Sequence, residues 1–288
     1  PTPDLVALLR HKNKWHRQQA LRLLGDRRDA KALPLLKIML RDEIGQAALE
    51  ALWAINLCGG FNPEFGGETL KHANPHVRSW TVRLLGDEKI MPEATAGSLV
   101  RLASREPHVE VRSQLAATAK RLPVGQAMPI IRELLKHDAD AGDIYQPLMV
   151  WWALESKTAE HPDEVLGLFA DGSLWQKSLV REHILNRIIR RYTKAGTRAD
   201  LASCARLFEM APNAESAKIL MAGFEQAYKG RSMAALPERL MAAMARYGGG
   251  SHTLGLRQGD PKAVEKALRT IGDVKADKII RQQYLSLI

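Results

Sequence analysis

The residues that could do chemistry in this sequence are few and scattered. Asp138, Asp140 and Asp143 have the spacing that begins a calcium-binding loop, since hard cations prefer several carboxylate oxygens close together. A complete loop needs an acid at its twelfth position, where this sequence has Met149. We therefore expect an acidic turn in which Asp143 caps the following helix, with a cation site as the alternative.

Histidines and cysteines indicate no clearer site. His72 and His76 are separated by Pro75, which prevents the shared helical face of a zinc site. Cys58 and Cys204 each lie in an apolar segment and are predicted to be buried thiols. The sequence has no glycine-rich phosphate loop, dinucleotide-binding turn or nucleophile elbow. It therefore predicts no catalytic, metal-binding or cofactor-binding residue in this segment.

Two other features could bind a partner. A basic run has the spacing of one helix face, which predicts either a solvated surface or an interface for acidic protein or nucleic acid. The adjacent Trp151 and Trp152 cannot face the same way on a helix, so one of them could anchor a partner. The candidate interaction residues are Trp151, Trp152, Lys177, Arg181, Arg187, Arg190, Arg191 and Lys194.

The elements that must position these residues are helices of a repeated unit. Residues 76–87 resemble residues 15–26, and Arg78 matches Arg17 with an offset of 78 − 17 = 61. Arg112 continues the pattern at 112 − 78 = 34. Repeats with a period near thirty residues are typical of stacked helical pairs.

The repeated helix is predicted with both its ends. Asn74 and Pro75 supply an N-cap and a first-turn proline, and Gly86 is expected to end the helix in a left-handed conformation. Three tryptophans are expected to pack within or between repeats: Trp15, Trp53 and Trp80.

Charged residues of the repeat predict a structural ladder. An arginine on one helix and an aspartate at a neighbouring turn can pair and also satisfy backbone groups left open at helix ends. The predicted ladder comprises Arg17, Asp26, Arg78, Asp87 and Arg112.

Composition fits an all-α protein. The 288 residues are 45% hydrophobic and carry a net charge of +10, which favours acidic partners. No sustained alternation predicts a strand, and no apolar run reaches the roughly 18 residues of a membrane span. We expect one helical array over residues 1–247, most regular in 5–137, and further helices of the same array in 248–288. The two parts are expected to meet at the flexible joint Gly248-Gly249-Gly250-Ser251.

The paired helices with regularly placed Val-Arg and Asp resemble HEAT repeats, which implies an α-α superhelix, a HEAT/armadillo-like solenoid. More narrowly, residues 48–54, 75–87, 137–140 and 151–155 are similar to the large exported membrane-bound dehydrogenases of planctomycete-type bacteria. That resemblance implies a propeller dehydrogenase domain before the repeats and a c-type cytochrome domain after them. The segment would come from the middle of a periplasmic or exported parent, with haem c elsewhere in it, and its start without methionine fits this expectation.

Two functional hypotheses follow. The first is a non-catalytic HEAT-repeat scaffold or protein-interaction module, the spacer between dehydrogenase and cytochrome c domains. Its partners would be proteins or neighbouring domains of the same chain. The second is a basic HEAT-like nucleic-acid-binding protein, similar to the DNA glycosylases built on such repeats.

Overall fold

The computed structural model describes residues 1–229, 236–247, 255–256 and 259–285. Over these residues the regular structure is helical and contains no strand, which confirms the predicted all-α helical-repeat class. The chain divides into two compact units, Pro1–Leu134 and Leu135–Ile288. The predicted boundary between residues 247 and 248 stays a prediction, and the glycine joint after it lies outside the described residues.

The first unit is built from short helices joined by tight turns. Its helices are α1 (Thr2–Leu8), α2 (Lys14–Arg27), α3 (Ala32–Asp42), α4 (Gly45–Leu57), α5 (Pro63–Thr69), α6 (Pro75–Leu85), α7 (Glu93–Arg105), α8 (Val109–Arg121) and α9 (Val124–Leu134). Helices α2, α4, α6 and α8 pack side by side in chain order, and α1 with α3 and α5 with α7 and α9 form a second layer. This arrangement of alternate helices in two layers is that of stacked α-α repeats.

Asparagine caps begin two helices of the α2–α8 layer in the same way. The Asn13 Oδ1 accepts from the Trp15 amide at 2.9 Å, and the Asn74 Oδ1 accepts from the His76 amide at 2.9 Å. Pro75 lies in the first turn, where its missing N–H costs no helical hydrogen bond. The predicted start of the repeated helix is therefore confirmed.

The predicted left-handed end at Gly86 is wrong, because this glycine has a φ of −93°. A Cβ on Gly86 would lie 2.5 Å from the Thr118 Cγ2 of α8, so the glycine allows close helix packing. Gly25 has the matching position, since its Cβ would lie 3.3 Å from the Leu57 Cβ of α4. Each glycine faces a residue of the next helix in its layer at the same separation, 118 − 86 = 32 and 57 − 25 = 32.

Two of the three repeat tryptophans pack as predicted. The Trp53 and Trp80 rings meet edge to face at 5.0 Å between centroids, beside the buried cluster of the first unit. Trp15 contradicts the prediction, because 59% of its surface is exposed. The repeat offset of 61 residues aligns Trp15 with His76, which is also exposed, and not with Trp80. Trp15 therefore lies on the exposed side of the first turn of its helix.

The second unit repeats the two-layer plan. Its helices are α10 (Gln146–Glu155), α11 (Pro162–Gly167), α12 (Leu185–Ala195), α13 (Arg198–Met210), α14 (Ala214–Ala227), α15 (Glu238–Ala245), α16 (Pro261–Gly272) and α17 (Lys278–Leu285). Short 3₁₀ turns at Asp138–Gly142 and Leu174–Gln176 precede α10 and α12, and a π-helical turn at Val180–Ile184 runs directly into α12. Helix α12 packs against α10 and α14, while α13 packs against α11 and α15.

Candidate functional site

Helix α10 of the second unit exposes large apolar side chains. Asp143 caps the start of the helix, as predicted. Its Oδ1 accepts hydrogen bonds from the amides of Tyr145 and Gln146, each at 2.8 Å. The side chains of Tyr145, Leu148 and Trp152 are 73%, 37% and 42% exposed, and Ile144 before them is also exposed. Leu148 and Trp152, four residues apart, lie on one side of α10, and Tyr145 directly precedes its first turn.

The two adjacent tryptophans of α10 differ in their exposure to solvent. Trp152 is exposed, whereas Trp151 is buried with Val150 and Leu154. The binding role predicted for one of the pair stays a prediction for Trp152, which is exposed. It is wrong for Trp151, because successive residues of a helix point about 100° apart and Trp151 lies in the core.

The predicted basic face is in large part paired with acids of the same unit. Arg191 lies 3.6 Å from Glu155 of α10, and Arg181 forms an ion pair with Glu215 of α14. The remaining pair joins the Lys177 Nζ and the Asp138 Oδ2 at 3.0 Å. These three cations hold elements of the unit together. The predicted interaction surface therefore does not extend without interruption over all six basic residues.

Asp138 is engaged by more than Lys177. Its Oδ1 accepts from the Ser178 amide at 2.8 Å. Burial alone would raise the pKa of Asp138, but the hydrogen bonds from Lys177 and Ser178 outweigh it and the net shift is downward. This acid therefore ties the turn before α10 to the segment before α12. Over the described ranges, no group of three or more His, Cys, Asp or Glu side chains could hold a metal ion.

Three cations of α12 remain without an acidic partner among the described residues: Arg187, Arg190 and Lys194. The Arg187 Nη1 donates to the His183 carbonyl at 2.7 Å, which leaves its other donors open. The Nε of Arg190 is buried and has no hydrogen-bond partner in the described part of the chain. Lys194 is exposed in the last turn. Their 3–4 spacing places all three on one side of α12.

Two contacts show how these rows lie relative to each other. The His183 Nε2 lies 2.9 Å from the Ala141 carbonyl before α10, and Arg191 reaches Glu155 at the end of α10. The two helices therefore run in the same direction. The α10–α12 surface, as it is called below, comprises Tyr145 at the start of α10, Leu148 and Trp152 of α10, and Arg187, Arg190 and Lys194 of α12.

The predicted structural ladder of the first unit exists with different acids. The Arg17 Nε donates to the Glu50 Oε1 at 2.9 Å, and Arg78 forms two hydrogen bonds with Glu106, of 2.8 Å from Nε and 2.5 Å from Nη2. Glu50 and Glu106 are both 2% exposed. Arg112 donates to the Glu106 carbonyl at 2.7 Å.

Asp26 and Asp87 were predicted in the roles that Glu50 and Glu106 take, and this part of the prediction is wrong. Asp26 pairs with Arg22 on its own helix at 3.7 Å, and Asp87 pairs with Arg121 at 3.1 Å. Both aspartates stand near the C-terminal end of a helix, whereas the ladder arginines stand in the first turn or two, so the two sets lie about a helix length apart.

The ladder arginines also satisfy the backbone before each helix. Arg17 donates to the carbonyls of His11 and Lys12, and Arg78 donates to those of His72 and Ala73, at 2.8 to 3.1 Å. The same separations recur, 17 − 11 = 6 and 78 − 72 = 6. The predicted capping role of these arginines agrees with the contacts, and it makes them residues of the fold.

One pocket of about 380 Å³ lies in the first unit, where α4 ends and α5 begins. Its lining includes apolar Phe61, Leu84 and Met91 with the polar Asn62 and Asp87. Asn62 is occupied in capping α5, and Asp87 pairs with Arg121. These two polar groups of the pocket therefore serve the fold.

The exposed row on α10 was missed by sequence reasoning except for Trp152. Leu148 and Val150 are both apolar residues of one short helix, and only contacts distinguish the exposed one from the buried one. The role of Glu50 could have been predicted from the sequence, because Glu50 follows Arg17 by 50 − 17 = 33 residues, which is one repeat period. No helix in the described part of the chain is long and apolar enough to cross a membrane.

No family model and no curated protein matches the chain. Among solved structures, the chain is similar to the crystal structure of an engineered protein, with 15% sequence identity and a TM-score of 0.41. That alignment covers 99% of this chain and 77% of the engineered chain.

Proposed function

We propose that this segment is a non-catalytic HEAT-type scaffold that binds a protein partner through the α10–α12 surface. The observation that carries the proposal is the row of exposed Tyr145, Leu148 and Trp152 along α10. Exposed apolar side chains in a contiguous group mark interaction sites, and tryptophan and tyrosine are frequent energetic anchors at interfaces. Stacked helical repeats present such rows on a rigid framework.

The alternative, a basic nucleic-acid-binding protein of the DNA glycosylase kind, has less support. The net charge of +10 favours it. Three of the six basic residues on which it rested, Lys177, Arg181 and Arg191, are in ion pairs with carboxylates of their own unit. The apolar row beside the remaining cations suits a protein segment better than a phosphate backbone.

The place of the scaffold in a larger protein is a further proposal that rests on resemblance alone. In it, the repeats separate a dehydrogenase domain from a cytochrome c domain of an exported oxidoreductase, and haem c lies in the latter. A Cys-x-x-Cys-His motif downstream in the parent gene would support this arrangement. A reading frame that ends shortly after residue 288 would contradict it.

A selection from a random peptide library displayed on phage tests the interaction proposal. We expect peptides that bind the full chain and lose at least about tenfold in affinity with Trp152→Ser, because an exposed aromatic anchor typically contributes ~1.4 kcal/mol or more. Trp15→Ser is the matched control, since Trp15 is an exposed tryptophan of the other unit. If no enriched peptide depends on Trp152, the proposal is wrong.

A further inference from the structure

We infer that the partner docks on the α10–α12 surface with an acidic amphipathic helix, an inference that rests on the proposed function. Its apolar side chains would cover Tyr145, Leu148 and Trp152, and its carboxylates would pair with Arg187, Arg190 and Lys194. The inference concerns the chemistry of the docking segment, which the protein-binding proposal leaves open.

The apolar half of the inference follows from the shape of the row on α10. Tyr145, Leu148 and Trp152 span seven residues, which is about 10 Å along a helix. An amphipathic helix presents its own apolar residues at i, i+3, i+4 and i+7, over the same length. Two turns of a partner helix therefore match the row.

The expectation of acidic residues in the docking helix follows from which basic residues already form ion pairs within the unit. Arg181, which precedes the unpaired group, and Arg191, which lies within it, each have a carboxylate of their own unit. Arg187, Arg190 and Lys194 have none among the described residues. A carboxylate is the group that satisfies a guanidinium best, because it can accept two parallel hydrogen bonds.

The two rows have the same length and direction, which makes a single helix the simplest occupant. Arg187 to Lys194 also spans seven residues, or about 10 Å. The contacts of His183 and Arg191 with the α10 region show that the rows run parallel. Neighbouring packed helices are about 8–10 Å apart, so one partner helix lying over them can place apolar residues on α10 and acids on α12.

Two designed peptides test the inference by fluorescence anisotropy with the full chain. Both are 16-residue helices with the same Leu and Trp positions, and the flanking positions are Glu in one and Lys in the other. We expect the Glu peptide to bind at least about tenfold more tightly than the Lys peptide, and more weakly as salt increases. The triple variant Arg187→Glu, Arg190→Glu, Lys194→Glu should reverse the preference.

A matched triple variant controls for the change in net charge. Lys12→Glu, Lys14→Glu and Arg27→Glu remove the same charge from exposed positions of the first unit and should leave the preference unchanged. Circular dichroism establishes that each variant stays helical. Preference for the Glu peptide that survives reversal of the α12 cations would overturn the inference.

The outcomes separate this inference from the proposed function. If both peptides bind equally and both lose affinity with Trp152→Ser, the acidic partner is wrong and the protein-binding surface stands. If neither the designed peptides nor the phage peptides lose affinity with Trp152→Ser, the acidic partner and the protein-binding surface are both wrong. A labelled DNA duplex that loses affinity with the α12 triple variant and not with Trp152→Ser would replace the protein partner by nucleic acid.

Discussion

At the scale of single residues, the ladder of the first unit shows how a buried charge is kept. Glu106 is almost fully buried, yet it accepts two hydrogen bonds from Arg78 and one from the His108 amide at 3.0 Å. Each carboxylate oxygen therefore has a donor. Glu50 has fewer hydrogen bonds, because its Oε2 is buried and no described residue donates to it. Arg78 donates two hydrogen bonds to its acid, whereas Arg17 donates one. We therefore expect the loss of the arginine to cost more stability at the Arg78–Glu106 pair.

We expect Arg78→Ala to lower the free energy of unfolding by ~3 kcal/mol, because it removes two charge-assisted hydrogen bonds from the buried Glu106 carboxylate. It also removes donors to the carbonyls of His72 and Ala73. Urea unfolding followed by circular dichroism measures the change. Arg22→Ala is the control, since its exposed pair with Asp26 is worth less than about 0.5 kcal/mol. Equal losses in the two variants would contradict the structural role of Arg78.

At the scale of helices, close approach decides how each repeat meets the next. The glycines at positions 25 and 86 are each followed 32 residues later by the side chain they face, Leu57 or Thr118. A helix end without a Cβ lets the next helix of the layer come nearer than ordinary side chains permit. The spacing between repeats therefore depends on glycine in the middle of a packed contact.

Gly86→Ala should destabilise the protein by roughly 1–3 kcal/mol, because the new Cβ would lie 2.5 Å from the Thr118 Cγ2. Adding Thr118→Ser removes that methyl group and should recover part of the loss. Gly67→Ala in α5 is the control, since its Cβ would meet nothing within 4 Å and alanine favours the helix by about 0.5–1 kcal/mol. Thermal unfolding of the four proteins gives the comparison, and a Gly86→Ala variant as stable as Gly67→Ala would refute the close-packing role.

At the scale of the whole molecule, each compact unit has its own buried core and one buried cysteine. Cys58 lies in the first unit and Cys204 in the second, and both are free thiols, as predicted. Burial raises the pKa of both thiols, that of Cys204 to about 12, so the reactive thiolate is scarce at neutral pH. The two thiols therefore report on the opening of the two units separately.

Neither cysteine should react with a disulfide reagent at pH 8 in the folded protein, and both should react in concentrated urea. The folded-state pKa values lie above those of exposed thiols, so unfolding both uncovers the sulfur and increases the thiolate fraction. Absorbance of the released thiolate follows the reaction. Cys58→Ala and Cys204→Ala assign each signal to one unit. Labelling without urea at the rate of an exposed thiol would show that the units open far more readily than their cores suggest.

The sequence by itself determined the helical repeat, the start of the repeated helix at Asn74 and Pro75, and the burial of both cysteines. These follow from local rules, because an N-cap, a first-turn proline and a helical spacing act within a few residues. Only the tertiary structure decided which acids meet the ladder arginines, whether Gly86 ends a helix or admits Thr118, and which tryptophan of α10 is exposed. Those outcomes depend on contacts between helices about thirty residues apart. The apolar pattern of α10 is similar on its two sides, so packing alone exposes Leu148 and Trp152 while it buries Trp151 and Leu154.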